Sequence, residues 1–173
     1  MTKGLVVGFV TALVILMVGG YVFITTGGLY AGQDVKPGKL ETWGAKSSLR
    51  ATIRRNAQGL RSPLQPTDDN LAAGVELYDT HCRVCHGGSD GIASPIAKGL
   101  TPNPPQLAKD GVEDDPVETS YWKIAHGIRF TGMPAFRESL SDRQMWQIAL
   151  FASHMNALPP RAQRTWAMQI GVP

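Results

Sequence analysis

From Gly4 to Ile24 the chain runs for twenty-one residues without a charge, which as a helix matches the hydrocarbon thickness of a bilayer. Between Gly32 and Pro66 the pattern turns polar, with Pro-Gly and Arg-Ser-Pro breaks, and reads as a linker. Inside it Leu49, Ile53, Ala57 and Leu60 recur at helical spacing, and Lys46, Arg50 and Arg54 form a basic stripe four residues apart. A further helix is predicted where Thr67 to Asp69 cap a run through Leu71, Val75 and Tyr78. A closing helix starts at the capping box Ser141-Asp142-Arg143-Gln144, continues through Trp146, Ala149, Leu150 and Ser153, and stops at Leu158-Pro159-Pro160. The chain thus divides into an apolar segment (1–31), a basic linker (32–66), a helical domain (67–159) and a tail (160–173).

With 173 residues and about a third spent on anchor and linker, there is room for one small domain and none for a second enzyme domain. The net charge of +3 is unevenly placed. Gln33 to Pro66 holds seven Lys/Arg against two acidic residues, and Thr67 onward nine against twelve. The basic excess therefore belongs to the linker beside the apolar segment and does not indicate nucleic acid. The acidic stretch Asp110, Glu113, Asp114, Asp115 and Glu118 lacks the ligand spacing of a calcium loop and reads as a solvated helix entry.

The apolar run has two readings, an uncleaved anchor and a cleaved secretory signal. Its length and the lack of an A-x-A site between Thr25 and Gly32 favour the anchor. Gly4, Gly8 and Ala12 form a small-residue ridge of the kind that lets two membrane helices approach.

The only two cysteines lie in Cys82-Arg83-Val84-Cys85-His86, too close for a disulfide that would staple a fold. Zinc would need two more ligands, but there is no other cysteine, and His81, His126 and His154 stand singly. A thioredoxin-like dithiol would sit among strands, and no strand alternation surrounds the pair. Cysteines three apart on a helical turn reach two vinyl groups on one porphyrin edge, and the next residue, His86, turns under the ring to the iron. C-x-x-C-H is the attachment motif of a c-type haem.

From Thr67 to Pro159 the sequence resembles the class I, mono-haem c-type cytochromes, here of a membrane-anchored bacterial kind. The resemblance implies an all-α fold: a small helical domain around one covalent haem c, preceded by one transmembrane helix. It implies that Gly74 and Tyr78 on the first domain helix cross the last helix at Ile148 and Phe151. It implies that the Pro105 carbonyl accepts a bond from His86 and that Leu107 lies over the haem. Gly132-Met133-Pro134-Ala135-Phe136 resembles the family's methionine-ligand loop, with Met133 the second axial ligand. Gly132 and Pro134 favour an irregular loop that presents the thioether. Met145 and Met155 fall at core spacing, Met168 is in the tail, and Met1 and Met17 belong to the apolar segment. His126 is the competing ligand, with a helix C-terminal cap as its ordinary role. Trp122 and Arg129 flank the loop as donors to a haem propionate, or as packing and surface residues.

With His86 and Met133 on the iron no position is open to a small-molecule substrate, so the expected role is electron transfer and not catalysis. Haem c attachment outside the cytoplasm, also a family-level expectation, places the domain in the periplasm at the bacterial inner membrane, although Lys36, Lys39 and Lys46 follow the span. The partners expected are the membrane, through the N-terminal helix, and redox proteins of a respiratory-type chain. Two architectures stand open: a tethered carrier, and a fixed subunit of a larger membrane oxidoreductase. The second is favoured if the ridge, the linker and Trp166, Met168 and Ile170 of the tail are buried against partners. A haem sensor or peroxidase would need an open coordination position. The linker helix likewise reads either as docking on anionic lipid or a partner, or as a solvated spacer. Under docking, replacing Arg50, Arg54 and Arg55 with Gln loosens retention on anionic vesicles or in a purified complex; unchanged retention contradicts it.

Overall fold

The computed structural model describes residues 2–28, 30–112 and 115–169. Met1, Glu113, Asp114 and Ile170, with the last three residues of the tail, lie outside the described residues. The described residues are helices and turns, with no strand among them, and the chain separates into two units, Met1–Gly32 and Gln33–Pro173.

The first unit holds α1 (Thr2–Thr25), with none of its side chains buried. It is long and apolar enough to cross a membrane. Its hydroxyls are satisfied within the helix: Thr11 Oγ1 donates to the Val7 carbonyl at 2.9 Å and Thr25 Oγ1 to that of Tyr21 at 2.9 Å. Donors paired in this way are compatible with a surrounding that holds no water. A Cβ added at Gly4 or Gly8 would meet no atom within 4 Å outside the backbone of its own helix.

The second unit opens with α2 (Lys39–Ala57), the helix predicted inside the linker. Ile53 and Ala57 are buried, and the helix packs on α7 (Val117–His126). Lys46, Arg50, Arg54 and Arg55 remain exposed. Next come α3 (Asp68–His81), α4 (Arg83–His86), α5 (Pro95–Lys98), α6 (Leu107–Asp110), α7, α8 (Asp142–Ala152) and α9 (Pro160–Ala167). The predicted caps form: Thr67 Oγ1 accepts from Asn70 N at 3.3 Å, Ser141 Oγ accepts from Gln144 N at 3.4 Å, and Ser141 N donates to Gln144 Oε1 at 2.9 Å. In the acidic stretch Asp115 pairs with Lys123 at 2.7 Å, and Asp110 accepts from Gln106 N at 2.7 Å.

The core is built on the crossing of α3 and α8. A Cβ at Gly74 would fall 2.3 Å from the Gln147 carbonyl oxygen and 2.8 Å from Phe151 Cβ, so only glycine permits this approach. One turn on, the Tyr78 and Phe151 rings meet edge to face at 5.3 Å. Phe151 is therefore at the crossing as expected, and the atom nearest Gly74 is the carbonyl oxygen of Gln147, the residue before Ile148. Ile148 packs with Ile124, Ala125, Leu140, Met145 and Ala149, a cluster on which Leu77 of α3 also packs.

The tail differs more from its sequence reading. Pro160 begins a helix at a position where a missing N–H costs nothing. Asp68 caps that helix from α3, accepting from Ala162 N at 2.9 Å and Arg161 N at 3.2 Å. Trp166 is buried against Tyr78 and Phe151, with ring centroids 5.5 and 5.1 Å away. Of the tail residues expected to seek a partner, Trp166 is thus covered by its own chain, while Met168 is exposed.

Replacing Gly74 with Ala forces α3 from α8 and costs about 1–3 kcal/mol as overpacking. Denaturant unfolding of the holoprotein measures it; an unchanged midpoint contradicts the crossing.

Candidate haem site

Cys82 ends α3 and begins α4. Its N–H donates to the Tyr78 carbonyl at 2.8 Å, and its own carbonyl accepts from Cys85 N at 3.0 Å and His86 N at 2.9 Å. This one tight turn presents two half-buried free thiols and the imidazole together. Burial, with Cys85 nearby, pushes the Cys82 thiol up to about 12. A working dithiol needs a thiol shifted the other way, toward thiolate, and Cys82 does not supply one. Among the described residues no three His, Cys, Asp or Glu side chains are grouped to hold a metal ion.

His86 Nδ1 lies 2.9 Å from the Pro105 carbonyl oxygen. A carbonyl only accepts, so Nδ1 carries the hydrogen and Nε2 is left with the lone pair. Burial lowers the imidazole pKa, and the Pro105 bond works against that without reversing it. The lowered pKa favours a neutral imidazole, and its Nε2 is the nitrogen left able to bind a metal. Pro102 and Pro104 share this loop, and it is Pro105 that meets the ring.

The structure adds residues that the sequence did not single out for this purpose. Gln106 Nε2 donates to the Cys85 and Pro104 carbonyls, each at 3.1 Å, binding the proline loop to the cysteine turn. The Tyr78 phenol, read from sequence only as packing, donates to the carbonyls of His86 at 3.1 Å and Gly87 at 2.9 Å. Ser94 Oγ donates to the Val84 carbonyl at 2.5 Å. Gly87 has a φ of +77°, and a Cβ there would fall 2.5 Å from Gln106 Oε1. Nothing in the local sequence marks these links, which join carbonyls distant along the chain.

The loop after α7 is closed by backbone bonds. Ile128 N donates to the Met133 carbonyl at 3.1 Å, and Phe136 N to that of Ile124 at 3.0 Å. Gly127, at φ +64°, would place a Cβ 2.6 Å from the Pro134 backbone. The loop packs Met133, half-buried, against Ile124, Ala125, Leu140, Met145, Ile148 and Ala149, where Cys82, Leu77 and Phe136 also pack. Cys82 packs on the second cluster too, that of Val75, Tyr78, Phe151, Met155 and Trp166, and Leu107 does the same. Cys82 thus stands where the cluster of Met133 meets the cluster of Leu107. The ring contact of His81, the residue before the motif, with Phe136, 6.2 Å between centroids, likewise joins the end of α3 to the methionine loop.

His126 is placed differently. It is exposed at the end of α7, its ring stacks on Trp122 at 4.8 Å, and Arg137 Nη1 lies 3.4 Å from its Nδ1. Trp122 is half-buried beneath that ring, and Arg129 is exposed.

The donor set fits a covalently attached haem: two thiols on one turn, a neutral imidazole with Nε2 free, and a thioether packed on the same cluster as the first cysteine. Together, an all-helical fold and this site define a c-type cytochrome, whose cofactor is covalently bound haem c. Residues 69–151 match the family described as "Cytochrome C oxidase, cbb3-type, subunit III". A chain of the Kuenenia stuttgartiensis reducing HAO-like protein complex is 24% identical, with a TM-score of 0.47, over 58% of this chain and 48% of that chain. This chain thus spans about half the length of that neighbour. No curated protein matches the sequence.

Gln106→Ala removes the side-chain bond from the proline loop to the cysteine turn, together with the bond to Pro104 within the loop, and lowers holoprotein stability by about 1–3 kcal/mol. Chemical denaturation followed at the haem absorbance checks this, and wild-type stability in the variant contradicts it.

Proposed function

We propose that this chain is a membrane-tethered cytochrome passing single electrons between respiratory-type redox partners. In this reading Cys82 and Cys85 hold the haem, His86 and Met133 are its axial ligands, and Pro105 and Leu107 complete its surroundings. The observation that carries the reading is the His86 Nδ1–Pro105 bond, which leaves Nε2 free on a neutral ring. The packing of Met133 on the cluster that Cys82 also joins supports the thioether as second ligand. The exposed setting of His126, engaged with Trp122 and Arg137, speaks against bis-histidine ligation.

The haem supplies a reversible one-electron change at iron. His86 and Met133 would hold the iron from the protein's side, leaving no position for a substrate, and the turn and loop that carry them would keep them in place between oxidation states. Methionine is a soft, neutral ligand that favours the ferrous state and raises the potential relative to a bis-histidine haem.

The length and apolar character of α1 support a single-pass anchor; the placement of that anchor in a bacterial inner membrane, with the haem domain in the periplasm, rests on the attachment of haem c outside the cytoplasm. For the choice between carrier and fixed subunit, the burial of Trp166 within its own domain withdraws one argument for a subunit. The description of the family matched by residues 69–151, an oxidase subunit, favours that second reading. The partners in either case are redox proteins, with no substrate bound at the iron.

Replacing Met133 with Ala abolishes the methionine-to-iron charge-transfer band of the oxidised protein and leaves covalent haem staining intact. Persistence of the band in the variant overturns the assignment of Met133.

A further inference from the structure

The turn that follows the motif is held from two sides, and one of them belongs to the end of the chain. The Gln169 carbonyl accepts from Ser89 N at 2.9 Å and from Ser89 Oγ at 3.1 Å. A Cβ at Gly88 would fall 2.2 Å from that same oxygen, so the two backbones are in direct contact. On the other side the Tyr78 phenol hydrogen is shared between the carbonyls of His86 and Gly87. The Tyr78 ring is itself fixed by Phe151 and by Trp166, at 5.3 and 5.5 Å and near-perpendicular angles of 70° and 82°. At its other end α9 is fastened to the start of α3: Asp68 caps it, and Arg161 pairs with Asp69 at 2.6 Å. The segment Pro160–Gln169 is therefore tied at the head of α3 and again at the turn after His86. It also lies wholly beyond the 69–151 match.

We propose that α9 and Gln169 form a brace that positions His86, with Trp166 acting through Tyr78 and Gln169 through Ser89. This rests on the reading of His86 as an axial ligand. The brace holds Tyr78, whose phenol donates to the carbonyls of residues 86 and 87, and closes the turn with backbone contact at Gln169, which leaves little room there for water. A haem gains a positive charge on oxidation, so water admitted beside the ligand stabilises the ferric state. Loosening the brace then lowers the midpoint potential, which hydrogen bonding and solvent exposure around such a centre are known to set.

The test uses the full chain purified in mild detergent, with redox titration and amide hydrogen exchange of residues 87–89. Trp166→Leu is expected to lower the midpoint and speed exchange in that segment, whereas Trp166→Phe, which keeps a ring against Tyr78, stays near wild type. In a Tyr78→Phe background, where the phenol no longer holds the turn, the Trp166→Leu shift shrinks by at least half. The methionine-to-iron charge-transfer band persists throughout.

An unmoved midpoint and unchanged exchange in Trp166→Leu overturn the proposal. So does a full-sized shift in the Tyr78→Phe background, and so does loss of the charge-transfer band in Trp166→Leu, which would put the effect at Met133. Should Trp166→Leu fail to accumulate with haem, Tyr78→Phe and Ser89→Ala carry the test separately. Both are expected to shift the midpoint downward, and wild-type values in both overturn the brace. Covalent haem staining of the wild-type chain separates the two readings: no haem removes the electron-transfer function itself, while haem with an unmoved midpoint removes only the brace.

Discussion

The approach of α3 to α8 at Gly74 is the constraint from which the site follows. Because the Gln147 carbonyl lies where a side chain of residue 74 would be, the two helices close until Tyr78 reaches Phe151 and is sealed in the interior. Its phenol is then delivered to the end of α3, where it meets the backbone of His86 and Gly87. Burial drives the phenol's pKa upward, so it remains a donor. A helix crossing is in this way converted into a fixed position for the cysteine turn. A domain of this size has little apolar surface of its own to bury, and bound haem adds to that core. Ligand attachment and folding are accordingly linked.

Three backbone attachments orient the imidazole and its turn. Pro105 fixes the ring and its tautomer, Gln106 joins the proline loop to Cys85, and Tyr78 takes up the carbonyls that the end of α4 leaves unpaired. Across the site, Gly127 allows the methionine loop to turn back on α7 with its backbone paired to Ile124 and Ala125. Of the two candidate ligands, His86 closes the short helix α4 and Met133 sits on an irregular loop pinned to α7, an arrangement that favours small structural change between oxidation states.

Much of this was legible in the sequence because it is local. The C-x-x-C-H turn, the caps at Thr67 and Ser141 and the helix within the linker each depend on residues a few positions apart. The backbone contact at Gly74 was not legible in this way, because apolar spacing reports which side chains are buried, while Gly74 is met by the carbonyl of a polar residue, Gln147. Trp166 was read as a surplus apolar residue of a tail because Pro159-Pro160 resembles a terminator. Pro160 in fact opens a helix whose cap, Asp68, lies more than ninety positions earlier. The roles of Gln106, Ser89 and the Tyr78 phenol had no signal at all, since each depends on a carbonyl brought near only by the fold.

The central claim is a haem closed on both sides, with His86 and Met133 leaving the iron only electrons to exchange. Exposure of the fully reduced native protein to carbon monoxide tests this most directly. The account predicts a visible spectrum unchanged by the gas; the appearance of a ferrous carbonyl spectrum would contradict it.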